Sequence, residues 1–252
     1  REPIQEIVRM INHSKACVIS VDIPSGLPAD EGIGEFTSIQ ADYTFVIAAA
    51  KESSFMVDTA DFYGQWEIVP IGIPNFVFRN NTAKRQWAEE DFGKTIPSRN
   101  VHAHKGSHGK GLIIGGCSEM PGSLAMATKA ALKAGAGLVA AGTTEKVISM
   151  IAAMCPEATY MILPEKDGYI TGCTASPISN YDAIAVGIGL GRREETRHVV
   201  AELLNNAPCP LLIDADGLYH LKYQLEMLKQ RSEPTIITPH PGEMAMLLGI
   251  SI

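Results

Sequence analysis

The chain has 252 residues, of which 46% are hydrophobic and 19% are charged, and its formal net charge is −7. This much apolar material can bury a large core, so the composition excludes a disordered chain, and the glycines and prolines follow no collagen-like period. An acidic chain without a basic stripe is a poor candidate for binding a nucleic acid, although backbone amides and helix N-termini can still hold a phosphorylated metabolite.

Cysteine usage and hydropathy indicate where the protein works. The five cysteines are scattered, odd in number and in no C-x-x-C pair, which favours neither a disulfide framework nor a zinc site and predicts a reducing, cytoplasmic location. No apolar run approaches the roughly 18 residues of a membrane span, so we expect no membrane partner. The cysteines are Cys17, Cys117, Cys155, Cys173 and Cys209.

The first 78 residues predict the end of an α/β unit. An amphipathic helix without an initiator methionine opens the chain, which indicates an excerpt of a longer protein. The polar, charged stretch 79–86 has no periodicity and predicts an interdomain linker. The expected elements are a helix over 3–13 and strands over 17–21, 43–49 and 66–73.

From residue 87 onward a second domain is expected, and its pattern is regular after Lys105. Short apolar runs alternate with amphipathic stretches, which predicts a mostly parallel sheet covered by helices on both faces. The expected strands are 111–115, 138–141, 184–186, 211–213 and 235–237, and the expected helices are 122–134, 145–153 and 194–206.

Glycine-rich or polar turns follow four of these strands. In open α/β sheets the ligand lies beyond the carboxyl ends of the strands, so four such turns at one edge predict a substrate crevice. The alternative is that βα turns need glycine and helix caps whatever the protein does. The turns are Gly115-Gly116, Gly187–Gly191, Asp214–Gly217 and Thr238–Glu243.

His240 is the best single histidine for a ligand contact. A proline on each side fixes its backbone, and it precedes a helix whose N-terminus attracts anions, although a purely structural role is equally open. Asp214 and Asp216 would point to opposite faces if extended, so one of them faces the crevice and the other caps a turn. Asp22 and Ser25 follow a strand, where their oxygens could hold a polar ligand or a cation or could serve only as a cap and turn.

Two further polar clusters are weaker. Lys105–Lys110 precedes its strand and lacks the G-x-x-x-x-G-K-[ST] spacing, which disfavours a nucleotide-triphosphatase loop. His102 and His104 follow a polar stretch rather than an apolar strand, which disfavours a metal site formed with His108.

Taken together, the motifs resemble a known family. KGSHGKGLIIGG, MPGSLAMATKAALKAGAGLV, GIGLG, LLIDADGL and IITPHPGEMAMLLG are similar, in order and spacing, to the ADP/ATP-dependent NAD(P)H-hydrate dehydratases. VDIPSGLPADEG, ADYTFVIAAAK and WEIVPIGIPN resemble the second half of the NAD(P)H-hydrate epimerase domain, which is fused upstream of the dehydratase in bifunctional bacterial enzymes.

The resemblance implies a fold, a division of the chain and an activity. The fold is α/β: a partial Rossmann-like epimerase layer over 1–78, the linker 79–86, and a partial ribokinase-like doubly wound α/β domain over 87–252. The implied activity is repair of hydrated NADH and NADPH (NADHX and NADPHX). The R and S hydrates are interconverted, and the S form is dehydrated with ADP or ATP and Mg²⁺.

The resemblance also implies site residues. Ser123, Gly189 and His240 would contact the hydrated cofactor in the dehydratase half. Asp22 would bind it in the epimerase half, where Ser25 would help hold K⁺. We also expect a homo-oligomer.

Two family motifs are not in this sequence. The G-[ST]-G-D turn, which carries the catalytic Asp and the phosphate-binding amides of the dehydratase, is expected beyond Ile252, and the epimerase's G-N-N-G-G-D-G loop is expected upstream. We therefore expect the chain alone to be inactive. The alternatives are a ribokinase-like kinase of a pyrimidine or thiazole alcohol, which the epimerase-like head disfavours, and a non-catalytic nucleotide-binding fragment.

Overall fold

The computed structural model describes residues 2–30, 34–74, 76–78, 84–96, 100–173 and 177–251. The chain divides into two compact units, Arg1–Ile96 and Pro97–Ile252. Of the expected linker 79–86, residues 79–83 lie outside the described ranges.

The first unit contains a three-stranded parallel sheet in the order β1-β2-β3. Its core includes Val46 of the central strand and Tyr63, both fully buried, and the Thr44 hydroxyl donates to the Tyr63 carbonyl oxygen at 2.7 Å. The elements are α1 (Glu2–Asn12), β1 (Ile19–Val21), β2 (Tyr43–Ile47), β3 (Gln65–Val69) and α2 (Glu89–Thr95).

Two strands of this sheet end earlier than their apolar runs predict. We expected β2 to reach Ala49, but Ala48 has a φ of +67°, which turns the chain out of the extended conformation. We expected β3 to continue to Ile73, but Pro70 lacks the N–H that a further ladder bond requires. Strand β1 begins at Ile19 rather than at Cys17.

The second unit is built on a six-stranded parallel sheet in the order β11-β10-β9-β4-β5-β6, with a separate two-stranded hairpin, β7-β8. Its strands are β4 (Lys110–Ile114), β5 (Leu138–Thr143), β6 (Thr159–Ile162), β7 (Glu165–Lys166), β8 (Tyr169–Ile170), β9 (Ala183–Val186), β10 (Leu211–Ile213) and β11 (Thr235–Ile237). Its helices are α3 (Pro121–Ala134), α4 (Glu145–Ile151), α5 (Arg197–Asn206), α6 (Asp216–Leu221), α7 (Leu225–Leu228) and α8 (Pro241–Leu248).

Both faces of this sheet are covered, as the near-continuous apolar strands predict. Along β4, Leu112 and Ile114 join one buried cluster, which also contains Leu203 of α5. Ile113, on the opposite face, joins a second buried cluster with Leu124 of α3. The α/β prediction of a doubly wound parallel sheet is confirmed for this unit.

The strand order reverses between β4 and β9. The chain runs outward from β4 to β5 and β6, then returns to place β9 on the other side of β4 before β10 and β11. Such a switch point leaves a crevice outside the carboxyl ends of the two strands, because their following loops leave in opposite directions. The turns after β4 and β9 are therefore the first place to look for a site.

Candidate functional site

The turns that follow β4 and β9 are in direct contact at the switch point. Gly116 donates its N–H to the Ile188 carbonyl oxygen at 2.9 Å, and Gly187 donates to the Ile114 carbonyl oxygen at 3.1 Å. A Cβ at Gly115 would overlap the Ile188 carbonyl oxygen, so no other residue fits there without displacing the turn. Two of the four predicted turns are thus brought together.

Gly189 and Ser123, which the sequence singles out, are neighbours. Gly189 has a φ of +64°, and a Cβ built there would lie 3.0 Å from the Ser123 Cβ and 2.9 Å from the Met120 carbonyl oxygen. The turn after β9 therefore packs closely on the first turn of α3, where Ser123 is half-buried. A ligand held over Gly189 would have Ser123 beside it.

The structure decides between the two aspartates that follow β10. Asp214 Oδ1 accepts a hydrogen bond from the Ala215 N–H at 2.8 Å, and Ala215 has a φ of +50°. Asp216 lies on the opposite side of this kink, where Oδ2 accepts from the Gly191 N–H at 3.0 Å. Asp216 therefore faces the crevice, and Asp214 stabilises the turn.

A cavity of about 410 Å³ lies next to Gly191. The Arg193 guanidinium carbon lies 4.2 Å from the centre of the Tyr169 ring, which comes from the β7-β8 hairpin. A hydrogen bond to Glu119, together with burial, raises the pKa of the Tyr169 hydroxyl, so this group stays protonated and can donate. The lining residues are Glu119, Met120, Tyr169, Gly191, Arg192, Arg193 and Asp216.

Sequence reasoning missed Tyr169 and Arg193. The signal that could have found them is the Asp167-Gly168 pair, because both residues have positive φ (54° and 82°), which is typical of a tight hairpin turn. The hairpin lies against the loop after β4, where Ser118 donates its N–H to the Gly168 carbonyl oxygen at 3.1 Å.

His240 is the N-cap of α8. Its Nδ1 accepts hydrogen bonds from the Gly242 and Glu243 N–H groups at 3.1 and 3.4 Å, and its own N–H donates to Glu243 Oε2 at 3.0 Å. The side chain is 67% exposed. Strand β11 lies at the sheet edge, two positions from β9, and His240 is not among the cavity-lining residues. The structure thus gives His240 a capping role, and its Nε2 lies 3.5 Å from Glu243 Oε1.

Asp22 joins the ends of two strands in the first unit. It follows β1 with a φ of +71°, and Oδ1 accepts from the Ile47 N–H at 3.1 Å and contacts the Lys51 ammonium at 2.8 Å. Burial raises the pKa of Asp22, but the hydrogen bonds from Lys51 and Ile47 and the charge of Lys51 outweigh it, so the pKa lies below its ordinary value. The carboxylate is ionised near neutral pH. Lys51 was not predicted, although it directly follows the apolar run of β2.

Among the described residues, the Ser25 carbonyl oxygen is engaged by hydrogen bonds within the first unit, whereas its hydroxyl is not. Its side chain is exposed, and its carbonyl oxygen accepts hydrogen bonds from the Ser38 hydroxyl at 3.1 Å and the Ile39 N–H at 3.0 Å. Its neighbour Asp22 faces Lys51. The described residues therefore do not form a complete K⁺ site around Ser25. In the same parts of the chain, no group of three or more His, Cys, Asp or Glu side chains is placed to hold a metal ion.

Comparison with known proteins places the second unit in a family. Residues 111–252, more than half of the chain, match the NAD(P)H-hydrate dehydratase family. The chain belongs to this family. Residues 1–53 match the YjeF-related protein N-terminus. The resemblance found from the motifs is thereby confirmed, and a pyrimidine or thiazole kinase is not favoured.

Curated relatives match across both units. The bifunctional NAD(P)H-hydrate repair enzyme Nnr of Moorella thermoacetica is 35% identical over 96% of this chain and 47% of that protein. The enzyme of the same name from Escherichia coli is 32% identical over 100% of this chain and 47% of its own length. The chain spans about half the length of the curated bifunctional relatives it matches.

Solved structures resemble the second unit. The ADP/ATP-dependent NAD(P)H-hydrate dehydratase of Bacillus subtilis, co-crystallised with ATP and Mg²⁺, has a TM-score of 0.51 at 34% identity, covering 65% of this chain and 55% of that one. A ribokinase-like superfamily protein of Enterococcus faecalis has a TM-score of 0.54 at 23% identity, covering 64% of this chain and 55% of that one, and supports the fold alone. Among the helices of the described ranges, none combines the length and apolar content needed to cross a bilayer.

Proposed function

We propose that the protein repairs hydrated NADH and NADPH, with the second unit contributing to ADP- or ATP-dependent dehydration of the S hydrate and the first to interconversion of the R and S hydrates. The observation that carries the proposal is the packing of Gly189 against Ser123 at the switch point of a unit that belongs to the dehydratase family. Relatives that span both units and bear the bifunctional name support the epimerase part.

The chemistry requires binding and orientation from this chain. Hydroxide is a poor leaving group, and a bound nucleotide with Mg²⁺ supplies the phosphoryl group that makes the hydroxyl of the hydrate easier to expel. We propose that the turn containing Gly189, together with Ser123 and His240, holds the hydrated nicotinamide nucleotide in the orientation this transfer needs. Close positioning of reactants can itself remove about 7–11 kcal/mol of a barrier. Since the described residues gather no acidic metal site, we assign no Mg²⁺ ligand to them.

In the first unit we propose that Asp22 binds the hydrate. Its ionised carboxylate is held at the carboxyl ends of β1 and β2 by Lys51 and Ile47, and the side chain is 42% exposed, so its second oxygen can accept from a ligand hydroxyl or amide. Ser25 would contribute one hydroxyl oxygen to a K⁺ ion, and no step of the reaction is routed through that ion.

The domain boundaries, the cellular compartment and the oligomeric state also remain proposals. We propose an epimerase segment over 1–78, a linker over 79–86 and a dehydratase segment over 87–252. Limited proteolysis should cut first within 79–86, and preferential cleavage inside 105–250 would contradict this division. Four buried free thiols support a reducing compartment such as the cytoplasm. A homo-oligomer that binds no nucleic acid remains our expectation.

The test is to follow the near-ultraviolet absorbance of reduced nicotinamide in the full-length protein. A mixture of R and S hydrates with ADP and Mg²⁺ should regain this absorbance completely, because the epimerase supplies the S form. Recovery of only half of a racemic mixture would refute the epimerase assignment. No recovery with ADP or ATP would refute the dehydratase assignment. Ser123→Val, which adds bulk beside Gly189 in the second unit, should impair dehydration and leave epimerisation intact.

A further inference from the structure

The turn over residues 187–191 (the glycine turn) lacks rigidity of its own. Gly187, Gly189 and Gly191 have φ values of +116°, +64° and +85°. Glycine adopts positive φ values readily because it has no Cβ, but for the same reason it has no side chain that could pack and fix the turn. It also loses more conformational freedom on folding than any other residue. A ligand-binding shape in such a turn must therefore be imposed by its surroundings.

Helix α6 provides these surroundings. A Cβ at Gly187 would overlap the Asp214 carbonyl oxygen and lie 2.5 Å from the Gly217 nitrogen, so the backbones of the turn and of α6 touch. At the other end of the turn, both backbone groups of Gly191 are bonded to side chains of this helix. Its N–H donates to Asp216 Oδ2 at 3.0 Å, and its carbonyl oxygen is 2.8 Å from His220 Nε2.

Both residues are buried, with 8% of Asp216 and 1% of His220 exposed. A carbonyl oxygen can only accept, so His220 Nε2 must carry a proton. Burial lowers the pKa of His220 and outweighs the opposing influence of the Gly191 hydrogen bond and of nearby Asp216 and Glu194, so the ring is neutral near pH 7 with its proton on Nε2.

Asp216 also reaches beyond the turn. Its second oxygen, Oδ1, accepts from Arg192 Nε at 2.8 Å, so one carboxylate holds the last glycine of the turn and the side chain that follows it. Charge-assisted bonds of this kind are about twice as strong as neutral ones. Arg192 lines the cavity beside Gly191, and Asp216 therefore sets the geometry of both the turn and the cavity wall.

We propose that Asp216 and His220 are positioning residues that hold the glycine turn in the shape that binds the hydrated dinucleotide, acting through Gly191. The proposal rests on the proposed function, because Gly189 of this turn is the ligand contact. His220 stays fixed inside the core and acts on the ligand only through the Gly191 carbonyl.

The first test is kinetic and uses the full-length enzyme. His220→Phe keeps a flat ring but removes the donor, and His220→Gln restores an N–H that can reach the Gly191 carbonyl. We expect His220→Phe and Asp216→Ala to raise KM for the hydrate by roughly tenfold, the factor that corresponds to about 1.4 kcal/mol and lies within the range for an unpaired buried polar group. KM for ADP should stay near its original value, and His220→Gln should recover most of the loss.

The matched control is Leu221→Ala on the same helix. Leu221 is fully buried and has no polar atom, so this variant loses stability without releasing the glycine turn. If Leu221→Ala raises KM for the hydrate as much as His220→Phe does, or if His220→Gln recovers nothing, the two residues are only structural and the proposal is wrong.

A second measurement is independent of activity. Hydrogen–deuterium exchange of the peptide that covers 187–191 should speed up in Asp216→Ala and His220→Phe and stay unchanged in Leu221→Ala. Unchanged exchange in the first two variants overturns the proposal even if KM has risen. A wild-type enzyme that fails to regenerate reduced nicotinamide refutes the proposed function instead, and the exchange pattern still decides whether α6 holds the turn.

Discussion

Replacing Gly189 by alanine tests the central contact of the site. The new methyl group would lie 2.9 Å from the Met120 carbonyl oxygen, closer than real Cβ contacts reach, and 3.0 Å from the Ser123 Cβ, which is tighter than nine in ten real Cβ contacts. Gly249 is the matched control in the same unit. Its φ is +69°, close to the +64° of Gly189, and a Cβ there meets nothing within 4 Å.

The two substitutions share every cost except the collision. An L-residue in the left-handed region costs about 1–2 kcal/mol, and the loss of unfolded-chain freedom returns about 0.4–1 kcal/mol, equally at both positions. Forcing an extra methyl group into a packed site adds about 1–3 kcal/mol at Gly189. We therefore expect Gly189→Ala to lower the free energy of unfolding by about 1–3 kcal/mol more than Gly249→Ala.

The assay is urea denaturation of the 252-residue chain followed by two signals. The two tryptophans, Trp66 and Trp87, both lie in the first unit, so their fluorescence reports that unit and should be unchanged in either variant. Far-ultraviolet circular dichroism also reports the second unit. In this signal the urea midpoint should fall further for Gly189→Ala than for Gly249→Ala, while the dependence of the unfolding free energy on urea concentration stays unchanged.

Equal losses in the two variants would refute the close approach of the glycine turn to α3. A shift of the tryptophan transition in either variant would show that the two units do not unfold independently, and the comparison of the two glycines would then have to be made on the whole chain. In the full-length enzyme, Gly189→Ala should also weaken hydrate binding, whereas Gly249→Ala should leave it intact.

Three further outcomes are expected. His240→Ala should cost about 1 kcal/mol of stability through the lost N-cap, whereas His240→Asn should keep the cap, and both should raise KM for the hydrate; normal hydrate binding by the Asn variant would limit His240 to capping. Because the pKa of Asp22 is depressed in the folded state, its pairing with Lys51 stabilises the first unit above roughly pH 4 and is lost as the pH falls below this value. Asp22→Asn should therefore flatten the acid limb of a tryptophan-monitored stability curve, and an unchanged limb would contradict this. Cys17 is the exposed thiol of the five, so an aromatic disulfide reagent should modify one thiol rapidly in the native chain, and none rapidly in Cys17→Ser.

The sheet of the second unit could be predicted because its strands and helices are each encoded by the pattern of neighbouring residues. Strands buried on both faces need continuous apolar runs, and the helices between them carry an apolar stripe such as Val199, Val200 and Leu203, all fully buried. The Gly189–Ser123 pair was expected only through the resemblance. The short distance between Gly189 and Ser123 follows from the strand order of the sheet, and the hydrophobic periodicity of the sequence does not reveal that order.

The assignment of Asp216 could not be made from the sequence because it depends on Ala215. An alanine at φ +50° is disfavoured by its own side chain, so only the surrounding structure can impose this kink. With the kink, Asp214 and Asp216 no longer follow the alternation of an extended strand. The early ends of β2 and β3 have similar causes, since Ala48 adopts a conformation that its residue type disfavours and Pro70 acts through a missing donor rather than through hydropathy.

The arrangement around the glycine turn predicts which substitutions will affect this site most. Under the proposed function, the glycine turn would contact the hydrate largely through backbone groups, because Gly187, Gly189 and Gly191 have no side chains to offer. Backbone groups cannot be removed by substitution. We therefore expect hydrate binding to be most sensitive to substitutions of the residues that hold these groups, Asp216 and His220. Both residues are buried, and both bond to the backbone of Gly191. If hydrate binding depends more on these two residues than on the exposed His240, then the second unit recognises the hydrate mainly through backbone groups that Asp216 and His220 hold in place.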